Sequence, residues 1–322
     1  MTTTNPPSNT SHQGDNTNLP ARITRAGSKQ TYYTFLLMAD RDRRQVGFRA
    51  YAYYRWLDDQ LDCESGTKEG KAALLTRQQE LLETCYQGKP HGEVNPEEQI
   101  LVDLVNGDTE QGSGMQIYLR NMMAVMAFDV ERCGRVITGV ELANYSDLLS
   151  SAVTELLFYL IGHRDAPTSL ENRYQAVKGA HIVHMLRDMM EDIPGGYINI
   201  PGNVIQMQLI SLEQLHSQAI REWVFERVKL ARDHFQSGRQ YIARVKNLRC
   251  RLAGFAYLSR FEYMLSLIER DDYCLRREYP ERKSLRAGLW MGWRTFISVL
   301  GVPWIKLDPG TQRALTDHCG DQ

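Results

Sequence analysis

Two short stretches carry carboxylates at helical spacing: residues 51–62 read YAYYRWLDDQLD, and residues 180–201 read AHIVHMLRDMMEDIPGGYINIP. The first holds neither Gly nor Pro and few β-branched residues, so the expected element is a helix. Residues three or four apart on a helix share a face, which puts Tyr51, Arg55, Asp58 and Asp62 on one stripe. In the second stretch His181, His184, Asp188 and Asp192 fall at i, i+3, i+7 and i+11, while Met185, Leu186, Met189 and Met190 occupy other faces and can pack. Carboxylates one turn apart are separated by about 6 Å along the axis, room for one hard cation between them or two side by side. Mg²⁺ takes oxygen ligands, keeps several waters and commonly completes its shell with phosphate oxygens. Two such helices facing each other could hold several ions against one diphosphate, with Arg55 and Arg187 adding charge-assisted bonds. Held this way, a diphosphate is stabilised as it leaves an allylic carbon. The carbocation left behind needs a dry cavity with π faces, for which Tyr51, Tyr54 and Trp56, with Tyr32 and Tyr33 upstream, are candidates.

Each feature also has a plainer reading. Aspartates on a helix are often a solvated face, and Arg55 could simply pair with Asp58 or Asp59. His181 and His184 could be hydrogen-bonded core residues. The tyrosines near residue 51 could serve packing alone.

The elements that must position these residues are all helical. Helical runs are separated by short Gly/Pro/Asn/Asp clusters, YQGKPHGEVNP, NGDTEQGSG, GHRDAPTS and IPGGYINIPGN, and no β-branched alternation competes with them. Thr168 and Glu171 are spaced as a capping box that would open the second motif's helix, and Gly195, Gly196 and Pro201 would close it. The first residues, MTTTNPPSNTSHQGDNTNLP, read as a disordered leader without the basic and apolar segments of a secretory signal. The late stretch AGLWMGWRTFISVLGVPW carries Arg294 at its centre, so a packed or surface-lying helix is expected rather than a spanning one.

Composition narrows the partners. The chain has 322 residues, 43% of them hydrophobic, and a net charge of −1, which gives no reason to expect nucleic acid. Six scattered cysteines with no CxxC pair point to reduced thiols and a cytoplasmic setting. No repeat at a solenoid period is present.

The pairing of YAYYRWLDDQLD with LRDMMEDIPGGYINIP resembles the squalene/phytoene synthase family, whose helices bear motifs of the forms YxxxRxxDDxxD and RDxxED. The likeness runs from about Ser28 to about residue 275: TYYTFLLM sits at the family's Ser-Phe segment, MAFDV at its Met-x-x-Asp-Leu step, and ELANYSDLLSSAVTELL at its tyrosine-bearing helix. The resemblance implies an all-α, single-domain class I isoprenoid-synthase bundle with a central cavity. It implies Mg²⁺, or Mn²⁺ in its place, and prenyl diphosphate substrates. Carried over by position, Asp58, Asp62, Asp188 and Asp192 would be metal ligands, Arg55 and Arg187 diphosphate contacts, and Tyr32, Tyr51, Asp129 and Tyr145 cavity residues. The expected division is a leader at 1–25, the synthase-like domain at 26–280, and a C-terminal helix and tail at 281–322, whose apolar stretch would allow peripheral membrane association.

The departures lie at the organic end of the pocket. His181 and His184 stand where the family has Gln-x-x-Asn, Tyr54 where it has cysteine, and Asn199 where it has tyrosine, with Tyr197 two residues earlier. Ser151 and Thr154 replace two glycines of an Ala-Gly-x-Val-Gly turn, so Thr154 is expected to crowd the prenyl chain. His184 is a candidate base, and His181 a substrate contact. The expected reaction is head-to-head coupling of two prenyl diphosphates. The alternative uses one, in cyclisation or in transfer to a non-prenyl, for example aromatic, acceptor. Chain length, the second substrate and any NADPH use are left open. A di-metal carboxylate bundle would need Glu-x-x-His pairs, and only Glu213 with His216 offers one. A non-enzymatic assembly role fits poorly with four retained aspartates.

Overall fold

Ser, Thr and Asn side chains open most of the helices. In the computed structural model, which describes residues 19–62, 66–162, 172–202, 204, 215 and 217–301, α1 (Leu19–Gly27) leads into α2 (Lys29–Met38), whose first turn donates the Thr31 amide to Ser28. α3 (Arg44–Leu61) carries the first motif. Thr67 caps α4 (Lys68–Tyr86), Asn95 and Glu98 form a capping box on α5 (Pro96–Asn106), and Ser113 caps α6 (Gly114–Arg132). A second box, Thr138 with Glu141, opens α7 (Gly139–Leu160). α8 (Gln175–Asp192) carries the second motif, and α9 (Gln218–Arg244), α10 (Leu248–Arg270), a 3₁₀ turn at Pro280–Lys283 and α11 (Leu285–Val299) follow. Among the described residues the only pairing of extended backbone is one bridge, Val136 with Ile198.

Two expected boundaries are corrected. α8 starts at Gln175 after Tyr174, which makes no side-chain cap, so the helix does not begin at the Thr168–Glu171 pair, which lies outside the described residues. Residues 19–25, read as the end of the leader, are helical in α1 and pack on α3. The Glu213–His216 pair and residues 1–18 also lie outside the described residues.

The buried side chains form two main clusters. One gathers α2 to α7 around Phe48, Tyr53, Leu57, Leu101, Met115, Leu119 and Leu160, and the other gathers α8 to α10 around Val183, Met189, Val224, Phe235, Leu258 and Leu265. α6 lies along α7, α8 along α9, and α7 along α8, which joins the two halves. The α8–α9 approach is close: a Cβ on Gly179 would meet the Phe235 ring at 2.7 Å.

A polar corner ties distant parts of the chain together. The Asp40 amide donates to the Leu160 carbonyl at 2.8 Å, the Asp40 carboxylate accepts from the Gly162 amide at 3.3 Å and pairs with Arg249, and Arg249 also donates to the Met38 carbonyl at 3.0 Å.

The second half of α11 turns its polar residues, Arg294, Thr295 and Ser298, inward. Arg294 and Thr295 face α10, where Glu262 lies 3.9 Å from Arg294 and Thr295 bonds Ser259 at 3.3 Å, and Ser298 accepts from Arg239 of α9 at 2.6 Å. Leu285, Leu289, Trp293, Phe296 and Leu300 point outward, 55% to 81% exposed. The central arginine is thus an anchor to α10. Among the described residues no helix is long and apolar enough to cross a membrane.

Candidate active site

On α3 the apolar positions Tyr53, Tyr54, Leu57 and Leu61 are buried, and this turns Arg55, Asp58, Asp59 and Asp62 outward from the first cluster. Arg55 pairs at 2.5 Å with Asp59, off the predicted stripe, and more loosely at 3.5 Å with Asp58. The Asp58 carboxyl is pushed up to about 6, first by burial and then by Asp62, with Asp59 and Asp129 adding to it against Arg55.

On α8 the apolar residues pack as expected: Met185, Leu186 and Met189 are buried and Met190 is partly buried. Arg187 grips Asp188 with two bonds of 2.5 Å, and His184 Nε2 lies 3.1 Å from the same carboxylate. Burial works to raise Asp188, but the bonds from His184 and Arg187 outweigh it and hold the carboxyl well below its ordinary range. One turn on, burial and the Asp188 charge push Asp192 up to about 6, with Asp129 adding and Arg132 opposing.

Asp129 on α6 is the common neighbour of the two motifs. Its charge raises both Asp58 and Asp192, and Asp62 in turn raises Asp129, whose own shift is dominated by burial. Asp129 accepts from Arg132 at 2.6 Å and from the Tyr145 hydroxyl at 3.1 Å. The buried Arg132 also donates to Asn199 at 2.6 Å, and the Asn199 amide donates to Asp192 at 3.1 Å. The Tyr145, Tyr197 and Phe128 rings surround its guanidinium, 4.9, 5.1 and 5.8 Å away. The loop after α8 is fastened here, because Gly196, at φ 87°, accepts from the Gly134 amide at 2.9 Å and Gly202 donates to Ile137 at 3.1 Å.

Arg132 and Asn199 were not singled out by sequence reasoning. The signal for Arg132 was present, since it lies three residues after Asp129 on one helix. Asn199 was noted only as a departure, and nothing in the sequence pairs it with a residue 67 positions away.

The remaining predicted residues divide. Tyr51 is half-buried, raised by burial, and its hydroxyl lies against Gly27 at the end of α1. Tyr32 stacks on Phe48 at 5.5 Å. Tyr54 is a core residue that donates to the Leu119 carbonyl at 2.5 Å, not a cavity face, and Tyr33 is exposed. His181 is buried, bonded to Ser146 at 3.1 Å with its ring 5.0 Å from Tyr145. Burial, with His184 and Arg132 behind it, pushes its pKa down to about 3, so the imidazole is neutral and a poor base. His184 is 54% exposed and is the better placed of the two. Ser151 bonds Asn121 at 2.8 Å and so ties α7 to α6, whereas Thr154 is buried with a hydroxyl that has no partner.

Among the described residues no three carboxylate, imidazole or thiolate groups are close enough together to hold one ion. The donors come in separate pairs instead, two per helix. Hard oxygen donors in pairs, crowded until Asp58 and Asp192 resist ionisation, fit Mg²⁺ whose other positions go to water and phosphate.

A family model described as squalene/phytoene synthase matches residues 24–287. The chain belongs to the squalene/phytoene synthase family. Squalene synthase HpnC from Alicyclobacillus acidocaldarius has a similar structure, with a TM-score of 0.62 and 19% identity over 81% of this chain and 95% of that one. The complex of TcSQS with the ligand BPH1237 is also similar, with a TM-score of 0.61 and 15% identity over 94% of this chain and 96% of that one. At these identities the likeness is one of fold, the all-α isoprenoid-synthase bundle. No curated protein matches the chain. Members of the squalene/phytoene synthase family are enzymes of isoprenoid biosynthesis, and this chain carries Asp58 at the end of α3 with Asp62 after it, and Asp188 and Asp192 on α8.

Proposed function

We propose that the chain is a Mg²⁺-dependent transferase that ionises an allylic prenyl diphosphate, with head-to-head coupling of two such molecules as its reaction. The observation that carries this reading is that Asp129, linked to Asp192 through Arg132 and Asn199, also feels the charges of the first motif, Asp58 and Asp62. Asp58, Asp62, Asp188 and Asp192 would hold Mg²⁺, or Mn²⁺, which supplies positive charge to the diphosphate oxygens as the carbon–oxygen bond breaks. Arg55 and Arg187, tethered by Asp59 and Asp188, would donate to the same oxygens. Tyr51 and Tyr32 would offer π faces to the carbocation. Family membership and the squalene synthase among the similar structures support the reaction class. A cytoplasmic location, with the outward stripe of α11 resting on a membrane surface, fits the same reading.

A second reading, with one prenyl diphosphate cyclised or passed to a non-prenyl acceptor, is favoured by one observation. His184 stands 3.1 Å from Asp188 and exposed, where it could take a proton from an acceptor or a cation. Incubation with C5, C10, C15 and C20 diphosphates, with Mg²⁺ or EDTA, followed by product analysis, tests both. A symmetrical C30 or C40 hydrocarbon supports coupling, a cyclic or prenylated product supports the second reading, and full diphosphate release in EDTA defeats both.

A further inference from the structure

The exposed residues of α2 form one stripe, Lys29, Tyr33 and Leu37 at i, i+4 and i+8. Gln30 and Met38 beside it share the lining of a cavity with Phe296 and Val299, so α2 and α11 adjoin. On α11 and its C-cap, Leu289, Trp293, Phe296 and Leu300 stand outward at i, i+4, i+7 and i+11. Gly288 and Gly292 lie among them, and nothing outside their own helix backbone comes within 4 Å of where a Cβ on either would sit. A helix packed for solvent turns its apolar side inward, but here the inward side is taken by Arg294, Thr295 and Ser298. The apolar side is therefore left for something outside the described chain.

The charges around this face have one sign. Arg282, Lys283 and Arg286 are exposed where α11 begins, Lys29 is exposed where α2 begins, and no Asp or Glu occurs within α2 or from Arg282 to Gly301. Glu281, the last acid before α11, is taken by Arg270 and Arg276. Among the described residues no carboxylate stands at ion-pair distance from Lys29, Arg282, Lys283 or Arg286. A second copy of the face would bring these cations no acid to meet. The strip is also narrow: α11 has 15 residues, about 22 Å long and about 10 Å wide, well short of the roughly 800 Å² per partner of a stable protein interface. A bilayer needs no matching shape, takes leucine and aromatic side chains at its acyl boundary, and in an anionic leaflet supplies the missing negative charge.

We propose that α2 and α11 together form a docking face for an anionic bilayer, with Leu37, Leu289, Trp293, Phe296 and Leu300 at the boundary of headgroups and acyl chains and Lys29, Lys283 and Arg286 on lipid phosphates. Both helices lie along the surface, and neither is long and apolar enough to cross it. Arg294, beside Glu262, stays on the protein side. This docking deepens the membrane placement of the proposed function and rests on it, while owing nothing to the aspartate chemistry.

Sedimentation of the whole chain with phosphatidylcholine vesicles, with and without phosphatidylglycerol, tests the proposal. Binding should be about tenfold tighter or more with phosphatidylglycerol at about 0.1 M salt, and this advantage should fall away at about 1 M salt. Leu289→Ser combined with Trp293→Ser should weaken binding about tenfold or more, and Leu37→Ser should weaken it from a different helix. Lys283→Gln combined with Arg286→Gln should remove most of the preference for phosphatidylglycerol. Diphosphate release from a short, soluble C10 substrate should be unchanged by Leu289→Ser with Trp293→Ser, whereas Asp58→Asn should lose release and keep vesicle binding, so docking and reaction fail separately. Three results would each overturn the proposal: no binding to phosphatidylglycerol vesicles, binding that the α2 and α11 variants leave unchanged at unchanged melting temperature, or a lipid-free dimer in analytical ultracentrifugation that Trp293→Ser dissolves.

Discussion

Arg132 Nη1 donates to Asn199 Oδ1 at 2.6 Å, a buried bond that fixes the loop after α8 against the end of α6. The same guanidinium holds Asp129, so its loss would leave a largely buried carboxylate and an amide without their partner. Arg132→Leu should cost about 3–5 kcal/mol in urea denaturation, while Asn199→Ala, which removes the acceptor for Arg132 and the donor to Asp192, should cost about 1.5–3 kcal/mol. A loss below about 1 kcal/mol for Arg132→Leu would show that the loop is held by something else.

Asp58→Asn and Asp188→Asn should both lower diphosphate release by orders of magnitude, yet move stability in opposite directions. Asp58 is raised by burial and by Asp62, so removing its charge relieves repulsion. Because the side chain is 46% exposed and screened, the gain should stay under about 1 kcal/mol. Asp188 instead holds Arg187 and His184, and its loss should lower the melting temperature. Parallel thermal melts and a phosphate-release assay read both effects.

The two histidines should separate by what they change. His184→Asn is expected to alter the product spectrum more than the rate of diphosphate release, because His184 is exposed beside Asp188. His181→Asn is expected to act mainly through packing against Tyr145 and Ser146. Gas chromatography of the products decides, and identical spectra for both variants and the parent would return His184 to a purely ionic role with Asp188.

His181 also gives the protein a pH dependence. Its folded pKa, about 3, lies below the ordinary histidine value, so between pH 6.5 and about 3 the unfolded chain binds the proton more readily. Stability should therefore rise with pH across that window, by about 1.4 kcal/mol per unit in its middle, and this contribution is level above 6.5. His181→Gln should flatten the slope between pH 6 and 4 in urea titrations. An unchanged slope would mean that the buried ring is already charged.

Thr154 should respond to two substitutions in different ways. Its buried hydroxyl has no partner, so Thr154→Val should be neutral or stabilising by about 1 kcal/mol. Thr154→Gly should widen acceptance of long chains, seen as a lower KM for a C20 relative to a C15 diphosphate. Ser151 is occupied by Asn121, so Ser151→Gly should loosen α6 on α7 rather than enlarge the pocket. A C20 preference that Ser151→Gly alone produces would contradict this division.

The aspartate stripes were legible because a helix converts sequence spacing directly into a shared face, and Asp58 with Asp62, and Asp188 with Asp192, needed nothing more. Partners across helices were less legible. Tyr54 looks like a cavity residue beside Arg55, yet its place in the core depends on the Leu119 carbonyl of another helix. Arg55 shows the limit within one helix, since i+3 and i+4 carboxylates compete and the structure favours Asp59. The polar-rich N-terminal segment concealed α1, whose pairing with Tyr51 rests on a glycine that nothing local distinguishes.

The Asp40–Arg249 corner bears on how the chain is made. The two residues are 209 positions apart, and at roughly 5–20 residues per second Asp40 leaves the ribosome on the order of 10–40 s before its partner. Until then the α2–α3 bend has neither Arg249 on its carboxylate nor a guanidinium on the Met38 carbonyl. Synthesis halted before residue 249 should therefore yield a nascent chain whose first core cluster can collapse but whose corner stays open to protease near Asp40.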